Sequence, residues 1–249
     1  MIELNNEGNL SLFFIGTGSA FSKRFYQNNL LVVKGKNHIL VDCGTLFSYA
    51  FEKEFDSKIT DIQNVLITHS HADHIGGLEE LALLGRYVTK QKLNLIITNQ
   101  YKNKLWKRSL FGGLRYSEEG KMGFCDYFNQ LKPKLIKRKP FYLYELNVGS
   151  INVKLFRTRH VTNLKKNNRN SLLSYGVLFD NSVLFTSDTQ FNFEQIEWFT
   201  SNYDIKAIFH DCDVSGFAEG VHASYEQLKT LPENIKSRIY LCHYNSAIE

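Results

Sequence analysis

Residues 68–77 read "THSHADHIGG" and place three histidines and one aspartate within the six positions from His69 to His74. The apolar run before it, "IQNVLIT", reads as a buried strand. The segment after it, "IGGLEELALLGRYV", reads as a helix once its glycines are passed. His69, His71, Asp73 and His74 therefore lie on a loop between strand and helix, in an H-x-H-x-D-H pattern. Such a loop gathers two imidazoles on one side and a carboxylate with an imidazole on the other. That donor set suits zinc and other borderline divalent ions, whereas calcium favours oxygen ligands alone. A lone histidine is usually an ordinary surface or core residue; a cluster this tight behind an apolar strand reads as a metal site.

The same rhythm runs through the chain. "LSLFFIG", "NLLVVKG" and "HILVDCG" read as strands, "TLFSYAFEKEF" as a helix, "KLNLIIT" as a strand and "NQYKNKLWKRSL" as a basic helix. Further on, "SINVKLFRT" is a strand, and "SLLSYGVLFD" and "SVLFTSD" form a hairpin turning at Asp180-Asn181. "FNFEQIEWF" and "SYEQLKTL" are helices, and "IKAIFHDC" and "RIYLCHY" are strands. Two sets of strands, each followed by helices, predict an α/β fold with two packed sheets and helices outside. Three more metal-capable residues stand at strand ends: His160, Asp188 and His243. Each is weak evidence alone. Together they complete two positions, His69, His71 and His160 for one ion and Asp73, His74 and His243 for the other, with Asp188 between. Two ions about 3.5–4 Å apart can clamp both oxygens of a phosphoryl displacement.

With 249 residues, 43% hydrophobic content and only 3 prolines, the chain is expected to form a single folded domain spanning 1–249. A net charge of +5 suits phosphate-bearing substrates without requiring nucleic acid. Four scattered cysteines, no CxxC pair and no apolar leader predict reduced thiols and a cytoplasmic protein. No apolar run approaches the ~20 residues that cross a bilayer, so no membrane partner is expected.

The ordered residues resemble the metallo-β-lactamase superfamily along nearly the whole chain, and within it the branch containing the tRNA 3′-processing nuclease RNase Z. "FIGTGSAF", "ILVDCG" with Asp42, "TSDTQF", "HDC" followed by "VHAS", and "LCHY" carry the likeness. The resemblance implies an αββα sandwich with a dimetal site at one edge of the sheets. His222 is the candidate proton donor, and the resemblance implies that Asp211 orients it through the other ring nitrogen. Asp73 is a further candidate for orienting the attacking water. His222 also reads as a surface histidine at a helix entry. The "GTGS" turn, with Thr17 and Ser19, either contacts phosphate or simply joins two strands. His38 reads as an ordinary packed or edge histidine, and His210 either supports the metal shell or fills space.

RNase Z proteins hold tRNA with a long glycine- and proline-containing arm. Only 27 residues separate His160 from Asp188, and the basic loop "NLKKNNRN" among them is too short for one. The compact chain, including "HADHIGGLEELALL", most resembles the phage-encoded anti-Pycsar phosphodiesterases, whose relatives also occur in bacteria. That resemblance implies hydrolysis of 3′,5′-cyclic nucleotides to linear monophosphates, with cyclic CMP and cyclic UMP ahead of cyclic purine nucleotides, and a pair of zinc or manganese ions. It also implies a homodimer. "FGGLRYSEEGKMGFCDYF", residues 111–128, has no clear period and reads as a lid loop; Tyr116 within it either stacks on a base or packs the loop. The basic runs "KNKLWKRS" and "KPKLIKRK" leave RNA open as a partner. A metal-binding nucleotide sensor is the non-catalytic alternative.

Overall fold

Leu30, Leu31, Val32 and Val33 are four consecutive apolar residues with no solvent exposure, which marks a central strand buried on both faces. The computed structural model describes residues 2–161, 171–216 and 220–246. They form two compact units, the first from residues 1–16 and 26–133, the second from residues 17–25 and 134–249.

The first unit contains strands β1 (Ser11–Gly16), β2 (Asn29–Lys34), β3 (Asn37–Val41), β4 (Asn64–Leu66), β5 (Leu93–Ile96), β6 (Tyr116–Ser117), β7 (Gly120–Lys121) and β8 (Phe128–Leu131). Six of them make one sheet in the order β1-β2-β3-β4-β5-β8. β1, β2 and β3 are antiparallel neighbours; β3, β4, β5 and β8 run parallel. Parallel neighbours need crossovers, and helices supply them. Helix α1 (Phe47–Phe55) joins β3 to β4, and α2 (Ala72–Ile75) and α3 (Leu78–Leu84) join β4 to β5. α1 buries Phe47, Ala50 and Phe51, the spacing of one helical face, and stops where Asp56 adopts φ 47°. α4 (Asn99–Leu105) begins where the Thr98 side chain accepts the Tyr101 N–H.

The stretch 111–128, expected as an aperiodic lid, is folded. It contains α5 (Phe111–Leu114), the β6–β7 ribbon, α6 (Phe124–Tyr127) and the first residue of β8. Arg86 binds Glu118 and Glu119 at 3.2 and 3.0 Å and so pins the ribbon's turn.

The second unit contains β9 (Lys134–Lys137), β10 (Leu143–Val148), β11 (Ile151–Arg157), β12 (Tyr175–Phe179), β13 (Val183–Phe185), β14 (Ala207–Asp211) and β15 (Ile239–Cys242). They form one sheet in the order β15-β14-β13-β12-β11-β10-β9. β9 to β13 are an antiparallel meander, after which β13, β14 and β15 run parallel. The turn at Asp180 and Asn181 lies where expected, both residues having positive φ, which these short polar side chains tolerate. Helix α7 (Phe193–Asn202) connects β13 to β14, and α8 (Tyr225–Lys229) and α9 (Glu233–Lys236) connect β14 to β15. Phe156, Leu178, Leu184, Ile196, Phe199 and Ile208 form the centre of this unit's core. Gly176 lets Phe156 pack against the neighbouring strand, since a Cβ there would meet the ring at 2.3 Å.

The basic run at 132–139 supplies β9, which lies at the sheet edge with Lys134 and Lys137 exposed. Lysines on an edge strand discourage pairing with other chains, which accounts for this run without a nucleic-acid partner. The basic loop at 163–170 lies outside the described residues. No helix among the described residues is long and apolar enough to cross a membrane. The four cysteines are free thiols.

Candidate metal and proton-transfer site

While His160 follows the antiparallel strand β11, most of the candidate residues in both units follow the carboxyl ends of parallel strands, where open α/β sheets present their ligand sites. In the first unit these are Asp42 after β3 and the His69–His74 loop after β4. In the second they are Asp188 after β13, Asp211 at the end of β14 and His243 after β15. Positive φ recurs at these points: Asp42 (64°), Val161 (47°), Ser187 (51°) and His243 (58°). Non-glycine residues held in that region mark over-determined backbone, which gathers at functional sites.

The first unit brings together His69, His71, Asp73 and His74. Asp42 is fully buried at their base. Its Oδ1 accepts the Thr68 amide at 2.8 Å, and its Oδ2 accepts the Thr68 hydroxyl at 2.7 Å. The same Oδ2 lies 2.7 Å from His74 Nδ1. With Nδ1 donating to this carboxylate, His74 presents Nε2 as its lone-pair donor, 3.2 Å from Asp73 Oδ2. Burial raises the Asp42 pKa, offset in part by the charge and hydrogen bond of His74 and the bonds from Thr68. The Asn29 side chain accepts the Gly44 amide at 3.0 Å and donates to the Asp73 carbonyl at 3.2 Å, tying the two loops together. A Cβ at Gly44 would lie 2.1 Å from that carbonyl, so only glycine fits.

His69 Nε2 and His71 Nδ1 are 3.1 Å apart. Two nitrogens each about 2.0–2.1 Å from one zinc ion at a tetrahedral angle are separated by roughly 3.3–3.4 Å. The spacing therefore fits two ligands of one divalent cation, and the donor chemistry fits as well.

The second unit brings together His160, Asp188, Asp211, His222 and His243. His160 Nδ1 faces the Val221 carbonyl at 3.2 Å, which leaves Nε2 directed 3.7 Å from Asp188 Oδ2. His243 Nε2 lies 3.3 Å from that same Asp188 oxygen, and its Nδ1 lies 3.3 Å from Asp211 Oδ1. One carboxylate oxygen thus stands within 3.7 Å of two imidazole nitrogens, donor chemistry that suits a divalent cation. Asp211 Oδ2 accepts the Thr189 amide at 2.8 Å and meets His222 Nδ1 at 2.7 Å. Burial raises the Asp211 pKa by itself, but the His222 and His243 hydrogen bonds and charges outweigh it and the net shift is downward. For His222 burial is the largest single influence and lowers the pKa; the hydrogen bond and charge of Asp211, helped by Asp188, more than reverse it. The net shift for His222 is upward, and its ring keeps some solvent access, its side chain being 16% exposed.

Thr17 and Ser19 belong to the second unit and lock onto the residue after His243. The Thr17 hydroxyl is 2.6 Å from the Tyr244 hydroxyl, and the Ser19 amide donates to the Tyr244 carbonyl at 2.9 Å. A Cβ at Gly18 would press on Phe25 and Ser22 at 2.9 Å, which accounts for that glycine by close packing. Tyr116 lies on the first unit's ribbon and is 68% exposed. His38 accepts the Gln63 amide at 3.0 Å and is a packed histidine. His210 is buried and donates from Nδ1 to the Asp211 carbonyl at 2.7 Å; burial lowers its pKa. The supports Thr68, Asn29, Thr189 and the Val221 carbonyl were not singled out in the sequence. Asn29 and Thr189 carry no pattern, and a backbone acceptor carries none at all.

A family model described as anti-Pycsar protein Apyc1 matches residues 10–249. The chain belongs to the Apyc1 family. It is 36% identical over 240 residues to the anti-Pycsar protein Apyc1 of Paenibacillus xerothermodurans, covering 96% of this chain and 90% of that one. It is 37% identical over 246 residues to the Apyc1 of Bacillus phage BSP38, covering 94% and 89%. Among solved structures it is similar to the metallo-β-lactamase fold protein YhfI from Bacillus subtilis, with TM-score 0.69, 14% identity and coverage of 96% and 88%. That likeness establishes the metallo-β-lactamase fold, the α/β class read from the sequence. Apyc1 members occur in both phages and bacteria.

Proposed function

We propose that this Apyc1-family chain is a metal-dependent phosphodiesterase that opens 3′,5′-cyclic nucleotides, cyclic CMP and cyclic UMP foremost, to linear nucleoside monophosphates. By removing that signal in the host cytoplasm it counters Pycsar defence. The observation that carries the reading is the His222–Asp211 pair, held at 2.7 Å on the same unit as His160, Asp188 and His243. A metal-binding sensor has no need of a buried carboxylate that orients a partly exposed imidazole.

Two divalent cations, zinc in the first place, would be held by His69, His71 and His160 and by Asp73, His74 and His243, with Asp188 between them. When bound they supply Lewis acidity to the phosphoryl oxygens and make water a better nucleophile. The protein's own groups do the rest. Asp73 orients the attacking water, whose oxygen forms the new bond to phosphorus as one of its O–H bonds breaks and that proton passes to solvent. One ribose ester P–O bond breaks, and the departing oxygen takes a proton from His222. Asp211 fixes the imidazole so that Nε2 carries that proton outward. Thr17 and Ser19, held against Tyr244, are the proposed phosphate-side contacts, and exposed Tyr116 the aromatic face for a base. That exposure also fits a symmetric dimer in which the ribbon reaches a second copy's site; sedimentation of wild type against Tyr116→Ala tests it.

Purified chain loaded with zinc or manganese is to be offered cyclic CMP, cyclic UMP, cyclic AMP and a precursor tRNA with a 3′ trailer. The expected result is conversion of the cyclic pyrimidine nucleotides with the trailer intact. Trailer removal with inert cyclic nucleotides would replace this reading with an RNase Z-type one.

A further inference from the structure

His222 stands on the connection between β14 and α8, and this connection has positive φ at Gly216 (75°) and Gly220 (82°). Glycine adopts that conformation without strain, and residues 220–223, which carry the imidazole, are held by hydrogen bonds. At its base, the Asp213 amide donates to the Ala223 carbonyl at 2.7 Å. At its tip, His160 holds the Val221 carbonyl, and the Gln190 side-chain amide donates to the Gly220 carbonyl.

Gln190 is itself held firmly. Its backbone amide donates to the Arg159 carbonyl at 2.6 Å, and its carbonyl accepts the Thr189 hydroxyl at 2.9 Å. Thr189 in turn gives its amide to Asp211 Oδ2. Two consecutive residues thus reach both halves of the proton-transfer pair: Thr189 grips the carboxylate, and Gln190 grips the segment bearing the imidazole.

We infer that Gln190 is a positioning residue that sets His222 against Asp211 and so fixes where the proton is delivered. The inference rests on the proposed role of His222 as proton donor. The Gln190 side-chain amide reaches the segment that bears His222, so the effect of removing it should depend on how much the leaving group needs a proton. Misplacing a reacting group by about 1 Å can cost on the order of 10²-fold in rate.

The test uses the full metal-loaded chain and two substrates. Cyclic CMP expels a ribose alkoxide and needs protonation; bis(p-nitrophenyl) phosphate expels nitrophenolate and does not. Gln190→Met keeps the length of the side chain and removes its donor. Its ratio of kcat on cyclic CMP to kcat on bis(p-nitrophenyl) phosphate is expected to fall about tenfold or more, with metal content and KM for cyclic CMP little changed. Gln190→Asn, which retains an amide one methylene shorter, should recover part of the ratio and serves if the Met variant fails to fold. His222→Ala is measured alongside. If His222→Ala collapses the ratio while the Gln190 variants leave it intact, or lower both rates in parallel, the positioning role is wrong and the proton-donor reading survives. If His222→Ala leaves the ratio intact, the proton-donor reading fails and takes this inference with it.

Discussion

Asp211 binds His222 at 2.7 Å through Oδ2 and lies 3.3 Å from His243 through Oδ1, so one buried carboxylate serves both a candidate proton donor and a candidate metal ligand. His222 is the more exposed of the two histidines, with a side-chain exposure of 16% against 3% for His243. Solvent access and depth thus separate two roles drawn from one anion.

The separation predicts different losses on substitution. His222→Ala should lower kcat on cyclic CMP by about 10²–10⁴-fold, the range for removing a general acid, while metal content measured by elemental analysis stays at the wild-type level. His243→Ala should lose metal together with activity. Equal metal loss in both variants would move His222 into the ligand set.

The pH dependence carries a sign. Asp211 raises the His222 pKa against the lowering by burial. A raised pKa keeps the imidazole protonated to higher pH, so a step that needs the protonated form persists until pH climbs through that value and then fails. Asp211→Asn removes the main raising influence. The descending limb of kcat against pH, measured at saturating metal, should therefore move to lower pH in this variant. A limb that stays in place or moves up would exclude His222 as the group that sets it.

Much of this architecture could be read from the chain because burial leaves an apolar signature. "NLLVVK" and "YGVLF" are continuous apolar runs and became fully or nearly fully buried strands. The strand-end residues were readable because histidine and aspartate beside such runs are chemically conspicuous. β9, with all four residues exposed, offered neither alternation nor an apolar run and read as a basic patch. β8 and the β6–β7 ribbon are too short to show a period. The site's supports were hidden for another reason. Asn29, Thr189 and Gln190 act through single hydrogen bonds to backbone or carboxylate partners far away in sequence, which no local pattern records.

Asp42 tests whether such supports matter. Its carboxylate holds His74 Nδ1 and takes two bonds from Thr68. Asp42→Asn keeps the shape, but the amide cannot serve as acceptor to all three donors. Partners of this kind typically contribute 10–100-fold to metal affinity or activity. Chelator competition on the purified variant should show metal affinity lowered by about that range, with the fold retained by circular dichroism. Unchanged affinity would show that Asp42 serves packing alone.

Two glycines separate stability from function. A Cβ at Gly176 would press on the Phe156 ring at 2.3 Å, and one at Gly44 would press on the Asp73 carbonyl at 2.1 Å. Both alanine variants force a shift in a packed interior, which typically costs about 1–3 kcal/mol and, for a chain of this size, lowers Tm by roughly 2–4 °C per kcal/mol. Gly176 faces an aromatic ring of the core, so Gly176→Ala should lower Tm while kcat per folded molecule stays near wild type. Gly44 supports the loop that aims Asp73 and His74, with Asn29 bridging the two. Gly44→Ala should therefore lose metal affinity and kcat by more than its Tm loss accounts for. Thermal melts with and without added zinc resolve the two cases, because bound metal stabilises the fold more the more tightly it binds. Gly176→Ala should keep the wild-type gain in Tm on metal addition, and Gly44→Ala should lose most of it. An equal gain in both variants would mean that the Gly44 contact shapes the core and not the ligand loop.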